Sequence, residues 1–98
     1  MLKKSYTKTG KICRVTFRLP AEAGAKTAAL CGEFNGWSPI ANPMKKLKDG
    51  GFSTTVSLEP EQSYRFRYWL DDERWENDWQ ADAYEANEFG SEDSLVKV

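Results

Sequence analysis

The stretch that decides the fold is "YRFRYWL", Tyr64 to Leu70. Aromatic and aliphatic residues alternate with arginines. Tyr64, Phe66, Tyr68 and Leu70 fall on one side of an extended chain, and Arg65, Arg67 and Trp69 on the other. A period of two over seven residues is the mark of a strand with one face in a core. The same pattern recurs upstream. In "KICRVTFRLP" Cys13, Val15, Phe17 and Leu19 alternate with Arg14, Thr16 and Arg18 until Pro20 stops the run. In "FSTTVSL" Phe52, Thr54, Val56 and Leu58 oppose Ser53, Thr55 and Ser57.

Weaker segments fill the gaps. "TAALCGEF" reads as a strand, and "AEAGAKT" as a loop. "IANPMKKLKDGG" is a polar connection, and "EPEQ" and Asp71-Asp72-Glu73 are turns. "RWEN" pairs back, and "SLVKV" is a closing strand. No segment offers ten residues of helical periodicity. The expectation is an all-β, two-sheet antiparallel sandwich of six to eight strands. Residues 1–10 read as a flexible arm ending at Gly10, and residues 11–98 as one β-sandwich module.

Ninety-eight residues fit a single domain. A net charge of −1 removes the electrostatic case for nucleic acid or an anionic membrane. The polar N-terminus has no apolar core of the kind a secretory signal needs, and no apolar run nears the roughly 20 residues of a membrane helix. Cys13 and Cys31 lack CxxC spacing, and there is no His. They read as buried thiols rather than a disulfide or zinc site, so a cytoplasmic setting is expected. The initial Met and the terminal strand point to a complete small gene product.

Without His, a Gly-x-Ser-x-Gly elbow or a phosphate loop, the chain has no evident catalytic apparatus. Its acids lie in turns, where no carboxyl would be desolvated to act as a general acid. No enzyme activity, metal or cofactor is expected. The aromatic residues are more informative. Aromatics make up 13% of the chain, with four Trp, more than so small a core needs. Trp37 follows the Asn35-Gly36 turn, Trp69 shares the Arg65/Arg67 face, and Trp75 follows the acidic turn. A flat ring packs on the C–H face of a sugar while a planar Arg donates to its hydroxyls. The same residues also anchor protein interfaces. The residues alone leave both ligands open.

"LCGEFNGWSP" together with "PMKKLKDGGFSTTVSLEPEQSYRFRYWLDDERWENDWQADAYEANEFGSEDSLVKV" resembles a family 48 carbohydrate-binding module. Such modules include the glycogen-binding domain of the AMP-activated protein kinase β subunit. Others form the N-terminal domain of isoamylases, pullulanases and glycogen branching enzymes of glycoside hydrolase family 13. The resemblance implies an immunoglobulin-like early-set fold and a non-catalytic site for an α-glucan such as glycogen or starch. It implies Trp37, Trp75 and Arg67 as sugar contacts, with Asn35 beside Trp37. An Asn pair precedes the family's last strand, and its second member contacts sugar. Asp93-Ser94 stands there, making Ser94 a shorter contact. The alternative is a packing or protein-interaction domain whose partner is a glycogen-metabolism enzyme.

Overall fold

A computed structural model describes residues 2–98. The three strongly alternating segments become the long strands. β2 (Cys13–Leu19) and β5 (Phe52–Leu58) pair in one sheet, and β6 (Ser63–Leu70) runs through the other. The first sheet has the order β1-β2-β5-β4, with β1 at Leu2–Tyr6 and β4 at Lys45–Lys46. The second has the order β3-β6-β9-β8, with β3 at Ala28–Gly32, β8 at Ala83–Ala86 and β9 at Glu92–Lys97. β7 (Arg74–Glu76) also pairs with β6. All named pairings are antiparallel. Two single turns of 3₁₀ helix, Ala21–Ala23 and Glu33–Asn35, complete the elements among the described residues. The molecule is an all-β, early-set sandwich.

The faces follow the sequence parity. Cys13, Val15, Phe17 and Leu19 of β2 are buried and meet Phe66, Tyr68 and Leu70 of β6. Phe66 packs edge-on against Phe17 at 5.0 Å and against Tyr68 at 5.7 Å between ring centres. The Tyr68 hydroxyl donates to Asp78 at 2.6 Å, which satisfies it inside the core. Cys13 and Cys31 are both free and buried, and burial pushes the Cys31 thiol up to about 11. No helix among the described residues is long and apolar enough to cross a membrane.

Three strands differ from the sequence reading. Residues 2–6, expected within a flexible arm, form β1 in register with β2, from Leu2 opposite Phe17 to Tyr6 opposite Cys13. Met1 of that expected arm lies outside the described residues. β1 is a sheet edge held by its backbone ladder and by a Lys4–Asp82 ion pair at 2.7 Å. Its side chains are largely exposed, so no apolar alternation marks it. β8, also unexpected, is likewise an edge with mostly exposed side chains. With these and the two-residue β4, which lies in the expected polar connection, the strands among the described residues number nine, above the expected six to eight.

Candidate functional site

After β3 the chain must turn sharply across the end of β6. At Gly32 the backbone passes so close that a methyl group would lie 2.7 Å from the Arg65 carbonyl oxygen. Only glycine fits there without displacement. Phe34 turns inward against Phe17 and Tyr64, pinning the following 3₁₀ turn to the core. Asn35 then ties the loop together. Its Oδ1 accepts from the Gly32 amide at 3.1 Å, and its Nδ2 donates to the Leu30 carbonyl at 2.9 Å and to Asn42 Oδ1 at 2.8 Å. The buried Cys31 thiol donates to the Ser38 carbonyl at 3.4 Å from beneath.

Trp37 emerges from this loop in the left-handed region, at φ 60°, directly after Gly36 at φ 66°. A bulky residue is rarely found there, and the conformation costs roughly 1–2 kcal/mol. Its amide donates to the Gly32 carbonyl at 2.9 Å, which closes the turn and holds the ring in place.

The outer face of β6 supplies the next part. Trp69 lies opposite Trp75 in the β6–β7 register, and their ring centres are 4.6 Å apart. Trp75 in turn meets Trp37 at 6.3 Å with an interplanar angle of 83°. The three indoles form a bent row in which Trp69 supports Trp75, and Trp75 remains 44% exposed.

A hairpin closes the other side. Between β8 and β9, Asn87 Oδ1 accepts from the amides of Phe89 and Ser91, and the Phe89 side chain stands 83% exposed at the tip. Arg67 clamps this hairpin to the sheet. Its Nη2 donates to the Glu92 carbonyl at 2.7 Å and to Ser91 Oγ at 3.1 Å, while Nε faces Asp93 at 3.5 Å. Arg65 pairs with Asp93 and Glu85, and the Asp93 hydrogen bond leads in raising the Arg65 pKa above its ordinary value. Between hairpin and indoles lies an open cleft of about 620 Å³, lined by Trp37, Trp75, Arg67, Asn87, Phe89 and Glu33 among others.

Of the residues expected from sequence, Trp37, Trp75 and Arg67 thus come together on one cleft. Arg67 does so with two of its nitrogens already engaged by the hairpin. Asn35 and Ser94 do not line it. Asn35 spends its amide on building the Trp37 loop. Ser94 lies opposite Phe66, on the inner side of β9, and is fully buried. Its hydroxyl accepts from the Asp78 amide and donates to Asn77, both at 2.9 Å. Asp93, the residue before it, is the outward neighbour of Arg67, so Ser94 faces the core where a place beside the cleft is expected. Phe89, Asn87, Glu33 and Asp93 were not singled out from sequence. The Asn87 to Gly90 turn carrying an apolar residue was the available signal for the tip.

The arrangement offers apolar ring faces beside polar groups. Its two carboxylates nearest the sheet are occupied: Glu33 accepts from the Arg65 amide at 2.6 Å, and Asp93 is held by Arg65 and Asn87. A comparison with curated proteins gives no match. Residues 5–85 match a family described as carbohydrate-binding module 48, the isoamylase N-terminal domain. That span covers most of the 98 residues and includes Trp37, Arg67 and Trp75. With the sandwich and the indole cleft already in place, the chain belongs to the carbohydrate-binding module 48 family.

Proposed function

We propose that the cleft binds an α-glucan chain of glycogen or starch, without cleaving it. The observation that carries this reading is the 83° angle between the Trp37 and Trp75 rings in one open cleft. α-1,4-Linked glucose curves, so successive sugar faces turn and suit rings set at an angle. A straight β-1,4 chain presents flat faces and suits coplanar rings. The donor capacity that Arg67 keeps beyond its bonds to the hairpin is available to the hydroxyls of such a chain. Few contacts on an open surface leave a weak complex, with Kd on the order of 10 μM to 1 mM.

Electrophoresis through gels containing glycogen tests the reading. The chain should be retarded in proportion to glycogen concentration, with no retardation by a soluble cellulose derivative. Unchanged mobility at high glycogen contradicts glucan binding and favours a packing surface for a glycogen-metabolism enzyme.

A further inference from the structure

The fourth tryptophan, Trp79, takes no part in the indole row. It stands 51% exposed in the link between β7 and β8. It faces a separate cleft of about 440 Å³, lined by Arg18, Pro20, Glu22, Trp79 and Gln80. The two clefts share no lining residue. This one draws on both sheets: Arg18 belongs to β2, and Trp79 and Gln80 to the link leaving β7.

We propose that this cleft is a second carbohydrate subsite, which takes one or more pyranose units of a neutral glycan. Three observations carry the assignment. The ring is presented by a fixed loop. Buried Asp78, next to it, accepts from the Tyr68 hydroxyl at 2.6 Å and from the Gln80 amide at 2.7 Å, and its own amide donates to Ser94 at 2.9 Å. The Tyr84 hydroxyl donates to the Asp78 carbonyl, so the chain is held on both sides of Trp79. A Trp ordered before binding costs little to immobilise.

The indole N–H lies 3.4 Å from Glu76, which orients the ring. The rim also carries one cation, Arg18, itself ion-paired with Asp49 at 2.9 Å, and one anion, Glu22, beside Gln80. That lining favours neither charged ligand and supplies donors and acceptors for hydroxyls. Ring face plus planar polar rim is the chemistry of the first cleft, repeated on other residues. The ligand class rests on the sugar reading of that first cleft; occupancy is read on a different residue. Two sites with no shared residue let one module hold two chains, or two arms of a branched one, and gain by linkage.

The test is a titration of the isotopically labelled chain with maltoheptaose, following the indole N–H signals by NMR. Trp79 is assigned by the signal lost in Trp79→Phe. Its signal should shift along a saturating curve in the native chain and again in Trp37→Ala/Trp75→Ala. If the double variant does not fold, the native titration decides. A Trp79 signal that stays fixed, or drifts without saturating, while Trp37 and Trp75 respond overturns the second subsite and leaves the first standing. Saturation at Trp79 alone supports the second and removes the first. No response at any indole overturns both.

Discussion

Trp37 offers an unusual separation of stability from binding, because its backbone works against its side chain. Replacing it with glycine removes a half-buried indole and its contact with Trp75, a loss of about 1–2 kcal/mol. Glycine also relieves the left-handed conformation at φ 60°, which returns roughly 1–2 kcal/mol. The two effects nearly cancel, so Trp37→Gly should melt within about 4–8 °C of the native chain. Trp37→Ala loses the ring and keeps a Cβ in the strained region, so it should be about 1 kcal/mol less stable than Trp37→Gly. Both should lose glucan retention, since truncating a Trp anchor costs about 2 kcal/mol or more, roughly thirtyfold in Kd. Thermal melting alongside glycogen-gel mobility measures both quantities. If Trp37→Gly melts as low as a core truncation, or falls below Trp37→Ala, the ring is holding the fold and the reasoning fails.

Phe66→Ala should do the reverse, since this fully buried ring joins both sheets. A loss of about 3–5 kcal/mol is expected in denaturant titration, and a smaller loss would place Phe66 outside the core. Arg67→Lys keeps the charge but cannot reach Ser91, Glu92 and Asp93 together. It should weaken glucan binding partly and speed amide exchange in the β8–β9 hairpin, and an unchanged exchange pattern would deny the clamp. Asp71 accepts from the amides of Thr27 and Lys26, which hold its carboxyl below the ordinary 3.8. A depressed carboxyl contributes stability above its unfolded value and loses it as pH falls through the lower folded value. Asp71→Asn should therefore melt lower than the native chain at neutral pH, with the gap closing as pH drops below 3.8. A gap that persists or widens in acid would contradict that linkage.

How much of this was legible depends on where each residue sits. β2, β5 and β6 have one face in the core, so selection for burial writes a period of two into their sequence. β1 and β8 are edges stabilised by backbone pairing, and an edge strand leaves no such record in its side chains. The site divides in the same way. Trp37 and Trp75 stand out by following turns, whereas Arg67 shares its parity with Arg65 and is singled out only by the family resemblance. The facing of Ser94 is not legible locally, because it depends on how β9 registers against β6, on a partner 28 residues away in sequence, Phe66. Asn35 stands beside Trp37 in the sequence, but its position three residues after Gly32 suits a loop-closing amide. That role needs the carbonyl of Leu30 and the side chain of Asn42, neither adjacent in the sequence.

Glucan recognition through the angled indoles is tested most directly by intrinsic tryptophan fluorescence. The native chain and Trp37→Ala/Trp75→Ala are titrated with maltoheptaose, glycogen and cellohexaose. The account predicts a saturating change with the first two ligands, none with cellohexaose, and loss of most of the change in the double variant. An equal response to cellohexaose, or a response of native size in the double variant, would contradict it.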